Sequence, residues 1–169
     1  MFIGRDKELN ALDKMYKSEK FEFVVIYGRR RVGKTALINQ FIGAKKSIYF
    51  MGVESNEKQN LENLSKSIIE FSSGIQAETS FAAFQAALEY VFKLAEHERI
   101  ILTIDEYPYV ERSSKSLAST LQLLIDKYKD TSKLMLILCG SSMSYMEDHV
   151  LAYKAPLYGR RTAQMKIKH

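Results

Sequence analysis

The residues Gly28-Arg29-Arg30-Arg31-Val32-Gly33-Lys34-Thr35 match the pattern G-x-x-x-x-G-K-[ST] in full. Such a stretch holds polyphosphate. Two glycines let the backbone turn tightly, so that successive N–H groups point inward at phosphate oxygens with the positive end of the following helix behind them. The lysine reaches the β- and γ-phosphates, and the hydroxyl beside it is offered to Mg²⁺. Lys34 and Thr35 fill these places, and Ala36 carries the chain into a helical segment that runs to Ile42. The residues Gly28 to Ala36 are therefore the candidate phosphate contacts. Arg29, Arg30 and Arg31 stand at variable positions, where a side chain either adds charge near the phosphates or points outward.

A second group lies 71 residues beyond Lys34, where the apolar run Ile100-Ile101-Leu102-Thr103-Ile104 ends in Asp105-Glu106. An aspartate at a strand tip holds Mg²⁺ through its hydration shell, and Asp105 is the candidate. Glu106 is placed where a carboxylate polarises a water for attack on the γ-phosphate, a task that needs an ionised acceptor near the reacting oxygen. Tyr107-Pro108-Tyr109 then ends the strand. A third strand tip, Gly140-Ser141-Ser142, brings a hydroxyl between the first two groups. It either senses the γ-phosphate and orients the water, with Ser141 the better placed, or caps the helix expected over Met143 to Val150.

These groups need a scaffold that brings distant strand ends together. Short apolar, β-branched runs occur at Phe21–Tyr27, Ser47–Gly52, Arg99–Asp105, Lys133–Gly140 and, more weakly, Thr162–Ile167. Most are continuous rather than alternating, the pattern of strands buried on both faces. Segments of helical period separate them. Leu61, Leu64, Ile68 and Phe71 mark one, opened by a capping box of Asn56 and Gln59. Phe81, Phe84, Leu88, Val91 and Ala95 mark a second, and Leu117, Leu121, Leu124, Ile125 and Tyr128 a third. The segment after Lys34 and the one holding Leu9, Leu12 and Tyr16 are helical as well. Strands alternating with helices predict a parallel sheet covered on both faces, with ligands at the carboxyl ends of its strands.

The length of 169 residues fits one domain, spanning 1–169, and 46% hydrophobic with 27% charged residues excludes a disordered or fibrous chain. No apolar run approaches the roughly 18 residues that cross a bilayer, and Met1 to Asp6 lacks a signal-peptide pattern, so no membrane partner and a cytoplasmic location are expected. Cys139, the single cysteine, lies in an apolar run and reads as a buried, inert thiol. The net charge of +5 comes entirely from Lys154, Arg160, Arg161, Lys166 and Lys168 in the last twenty residues, which hold no acid. This basic end is either a solvated terminus or a surface for a polyanion.

Taken together, these residues resemble the prokaryotic, archaeal-type P-loop ATPases of the AAA-like and STAND group. The resemblance extends to Phe2-Ile3-Gly4-Arg5-Asp6-Lys7-Glu8-Leu9, similar to that family's G-R-[DE]-x-E element near the adenine, and to Pro156-Leu157-Tyr158-Gly159-Arg160. It implies a three-layer α/β fold with a five-stranded parallel sheet in the order 5-1-4-3-2, ATP as the nucleotide and Arg5 near it. It also implies that Arg160 approaches a phosphate of its own or a neighbouring subunit's nucleotide, or else is a surface arginine. Family members usually continue into a helical or winged-helix lid and a C-terminal domain, and the chain is expected to be the ATPase core without them. A second copy of the chain, and DNA or a protein client acting through the missing domains, are the partners that follow.

The leading expectation is a Mg²⁺-dependent ATPase that couples hydrolysis to a conformational change. The alternative is a switch or scaffold that holds ATP with negligible turnover until a partner or missing domain joins it. A small-molecule kinase fits less well because no arginine-rich lid insertion is evident. No Asn-Lys-x-Asp occurs to read guanine, and the three isolated histidines with one cysteine have no zinc spacing.

Overall fold

The computed structural model describes residues 5–73 and 80–168. Five parallel strands form one sheet: β1 (Glu22–Tyr27), β2 (Ser47–Met51), β3 (Ile100–Asp105), β4 (Leu134–Gly140) and β5 (Ala163–Lys166). Their order is β2-β3-β4-β1-β5, the 5-1-4-3-2 sheet read from the other edge. Each expected strand is present, shortened by one residue or two at its ends. β1 lies between β4 and β5, so the two motif-bearing strands, β1 and β3, are separated by β4 alone.

The central strands are buried along their whole length, which explains their unbroken apolar runs. Successive side chains still alternate between faces. Phe23, Val25 and Tyr27 join Ile100, Leu102, Ile104, Leu136 and Leu138 in the larger core, under α3 (Glu57–Ser73), α4 (Phe84–Leu94), α5 (Tyr107–Ser113) and α6 (Leu117–Tyr128). Val24, Ile26, Ile101, Met135, Ile137 and Cys139 face the other way, against α1 (Asp6–Lys17) and α2 (Lys34–Ile42). The result is a three-layer α/β domain. Asp105 has the parity of Ile101 and therefore emerges on the face that α2 covers.

Three local features differ from the sequence reading. Tyr107–Ser113 is a helix rather than the end of a strand, with Pro108 in its first turn, where the missing N–H costs nothing. The segment after β4 is one α-turn, α7 (Met143–Tyr145), that widens into a π-turn at Met146–Val150. At the start of α3 the capping box is half made. The Asn56 side-chain oxygen Oδ1 accepts the Gln59 N–H at 2.8 Å, while the Gln59 side chain turns outward to Asn63.

At the opposite end of the sheet from the strand tips, Arg99 is buried and donates to the carbonyls of Met15, Tyr16, Lys20 and Lys133. It ties the end of α1 and the start of β4 to the base of β3. No helix among the described residues is long and apolar enough to cross a membrane.

Candidate functional site

The phosphate loop leaves the tip of β1 and ends at α2. Gly33 has φ 94° and stands at the α2 N-cap, where no side chain caps the first turn, so the helix presents its free N–H groups to the loop. A Cβ on Gly33 would meet nothing within 4 Å, because the space above it is open. Gly28 is needed for a different reason from the tight turn that the sequence suggests. A Cβ there would stand 2.4 Å from the Ile167 carbonyl oxygen beyond β5. Lys34 is 7% exposed, and its ammonium donates to the carbonyls of Gly28 and Arg29, each at 2.7 Å. Two of its three N–H groups are thus used within the loop, and the third remains for a phosphate oxygen.

Asp105 is 2% exposed at the tip of β3. Its Oδ1 accepts the Glu106 N–H at 2.8 Å, and its Oδ2 accepts the Thr35 hydroxyl at 3.4 Å. The Tyr49 hydroxyl, from the neighbouring strand β2, donates to the same Oδ2 in a short hydrogen bond. Burial, and then this hydrogen bond, raises the Tyr49 phenol far above its ordinary pKa, so it stays a neutral donor. Cys139 is buried against the same carboxylate, and burial first, then the Asp105 charge, pushes its thiol up. It is buried, as expected. Thr35 and Asp105 form an all-oxygen donor pair, which suits a hard cation such as Mg²⁺ rather than zinc.

Glu106 has φ 49° and ψ 43°, the left-handed conformation, and is the N-cap of α5. This turn swings its carboxylate toward β4, where the Ser141 hydroxyl lies 3.0 and 3.3 Å from its two oxygens. Ser142 precedes α7 and makes no side-chain cap bond. Arg30 reaches over from the loop, with its guanidinium 3.9 Å from Glu106 and 3.0 Å from the Tyr109 hydroxyl.

These groups surround one cavity of about 610 Å³ at the carboxyl ends of the strands. Gly33, Lys34, Thr35, Ala36, Asp105, Glu106 and Ser141 line it, with Arg30 and Arg31 at its rim. Arg29, though its carbonyl holds Lys34, is not in the lining, nor are Gly28 and Val32. Arg5 and Arg160 also lie elsewhere. Arg5 donates to the Val32 carbonyl at 2.9 Å and to the Lys168 carbonyl, bracing the loop from behind. Phe2, Ile3 and Gly4 of the same element fall outside the described residues. Arg160 makes a two-pronged pair with Asp126 of α6 at 2.9 and 3.1 Å, the arrangement of a surface arginine.

The far wall of the cavity was not evident from the sequence. Met51, Gly52, Val53 and Glu54 follow β2, and Tyr109 comes from α5. Buried Asn60 of α3 fixes this wall, accepting the Val53 N–H at 3.0 Å and donating to the Val53 carbonyl at 3.1 Å. An asparagine beside a run of polar helix residues offers no pattern to find it by. Tyr49 was hidden in an apolar run that reads as strand packing.

The profile of an ATPase domain predominantly from Archaea matches residues 2–169. An uncharacterized protein of Methanocaldococcus jannaschii is 37% identical over 168 residues, which is 99% of this chain and 36% of that protein. An uncharacterized ATP-binding protein of the same organism is 46% identical over 46 residues, covering 27% of this chain and 78% of its own length. Among solved structures, a Walker-type ATPase of Pyrococcus abyssi is similar over 99% of this chain and 54% of its own, with a TM-score of 0.72 and 21% identity. The Aeropyrum pernix ORC1 protein, solved in complex with DNA, is similar over 99% and 46% with a TM-score of 0.71 and 13% identity. The chain thus spans about a third of the first relative and about half of each of these structures, and at these identities the structures speak for the fold alone.

Proposed function

The chain belongs to the family of ATPase domains found predominantly in Archaea, and on that premise we propose that it binds ATP at the phosphate loop and hydrolyses it with Mg²⁺ to drive a conformational change. The observation that carries this reading is convergence. Lys34, Thr35, Asp105, Glu106 and Ser141, drawn from three strand ends, line one cavity large enough for a nucleotide.

The loop N–H groups and the free N–H of Lys34 bind the phosphate oxygens. Thr35 and Asp105 hold the cation, which when bound neutralises charge that builds on the phosphates. Glu106 accepts a hydrogen bond from the attacking water and receives its proton as the water oxygen bonds to the γ-phosphorus. The bond from that phosphorus to the bridging oxygen breaks, and ADP and phosphate leave. Ser141, bonded to Glu106, sets the direction of its carboxylate. ATP rather than another nucleoside triphosphate is supported by the family.

Phosphate release from ATP with Mg²⁺, compared between wild type and Glu106→Gln over a range of protein concentrations, tests the reading. Release that is lost in the variant is the expected result. A rate per chain that rises with concentration means a site completed between subunits. Bound ATP with no release from either protein would replace hydrolysis by the ATP-loaded switch.

A further inference from the structure

We infer that Tyr49 is a positioning residue of this site, whose hydroxyl fixes the Asp105 carboxylate in the orientation that holds the cation. The inference rests on the reading of Asp105 as the metal-holding acid.

Besides Tyr49, three groups meet that carboxylate: the buried Cys139 thiol, a main-chain N–H and the Thr35 hydroxyl. Oδ1 has a main-chain donor, the Glu106 N–H. Oδ2 has two side-chain donors, and the Thr35 hydroxyl stands at 3.4 Å, near the limit of a hydrogen bond. Tyr49 makes the close contact. Its place in the sheet explains why it can. β2 and β3 run parallel with Tyr49 beside Thr103 and Met51 beside Asp105, so Tyr49 is two residues below the acid on the same face. A phenol spans that offset across one strand with only two side-chain torsions to order. A half-buried aromatic on this face would pack as well without a hydroxyl, yet the hydroxyl is aimed at a carboxylate that is itself nearly inaccessible to water. Of the two Oδ2 lone pairs the phenol takes one, and the other faces the Thr35 hydroxyl at the cavity.

The test compares wild type, Tyr49→Phe and Asp105→Ala, each titrated with ATP in EDTA and again at increasing Mg²⁺. Direct observation of Mn²⁺ by electron paramagnetic resonance in the ATP-bound protein supplies a readout independent of turnover. For Tyr49→Phe the Mg²⁺ concentration that half-restores tight ATP binding should rise about tenfold, the equivalent of one charge-assisted hydrogen bond. Its ATP affinity in EDTA should stay within about twofold of wild type, since the phosphate loop is untouched. The Mn²⁺ affinity should fall in parallel. Equal weakening in EDTA and in Mg²⁺, an unshifted Mg²⁺ midpoint, or a Tyr49→Phe protein that does not fold would each overturn the inference, the last because the hydroxyl would then be structural. Asp105→Ala separates the two levels. If it keeps the wild-type Mg²⁺ dependence, the metal assignment itself fails; if it loses that dependence while Tyr49→Phe keeps it, Asp105 stands and Tyr49 falls.

Discussion

Alanine at each of the two loop glycines should do different damage, because the two positions need glycine for unrelated reasons. At Gly28 the new Cβ would stand 2.4 Å from the Ile167 carbonyl oxygen and 3.3 Å from Val32 Cγ2. The first obstacle is main chain and cannot rotate away. Overpacking of this kind costs up to about 3 kcal/mol, and moving Ile167 also strains its 2.7 Å hydrogen bond to the Tyr27 carbonyl, worth about 1 kcal/mol. With roughly 2–4 °C lost per kcal/mol in a domain of this size, Gly28→Ala should melt about 8–16 °C below wild type. At Gly33 nothing lies within 4 Å of the new Cβ, and the cost is that of φ 94° alone, about 1–2 kcal/mol or roughly 2–8 °C. Its Cβ would project into the open space over the α2 N-terminus, the proposed phosphate site. ATP affinity should therefore fall at least about tenfold in Gly33→Ala. Thermal melting followed by circular dichroism, and calorimetric titration with ATP at 15 °C below each midpoint, measure the two effects. A Gly33→Ala protein that binds ATP as wild type does, or a Gly28→Ala protein that melts higher than Gly33→Ala, would refute the reasoning.

Other substitutions probe charge. Lys34→Ala removes the buried ammonium, and ATP affinity by titration should drop by at least about 100-fold, or ~2.8 kcal/mol. Arg99→Ala leaves four carbonyls without their common donor, so urea unfolding should show a loss of about 3–5 kcal/mol, less than four independent charge-assisted bonds because water reaches the freed oxygens. Arg99→Lys should recover only part of that, since a compact ammonium cannot span four acceptors. Burial raises the Glu111 carboxyl, which faces the hydroxyls of Tyr107 and Tyr145 with His149 beyond. The folded protein then binds more protons than the unfolded chain between the ordinary carboxyl pKa and the raised one, so stability falls as pH climbs through that window. Glu111→Gln should accordingly gain in melting temperature over wild type at pH 7, and that gain should shrink near pH 4, below the ordinary carboxyl value.

That Lys34, Thr35, Asp105, Glu106 and Ser141 come together at the carboxyl edge of the sheet was legible in the sequence. The loop from Gly28 to Ala36, the Asp105-Glu106 pair and the hydroxyl of Ser141 all sit at ends of apolar runs, and run ends are strand ends in a parallel sheet. The strand order followed from the family resemblance. What escaped notice was set by neighbours across strands. The role of Tyr49 depends on the register of β2 against β3, and that of Asn60 on the path of the loop after β2. α5 was missed because seven residues, two of them flanking a proline, are too few to show a period. Arg5 and Arg160 carried expectations from the resemblance alone. The structure gives each a protein partner outside the cavity, a loop carbonyl for Arg5 and Asp126 for Arg160.

The bracing of the phosphate loop from behind makes it a mechanical joint. Ile167 is hydrogen-bonded to Tyr27 and presses its carbonyl against Gly28, while one arginine, Arg5, grips both Val32 and Lys168. The loop is thus clamped at its entrance and near its exit by the same short stretch of chain. Residues 167 and 168 thus touch the phosphate cradle directly, through main-chain contacts and the Arg5 guanidinium. If the proposed hydrolysis displaces the loop, this stretch is its tendon: short and attached on both sides of the cradle.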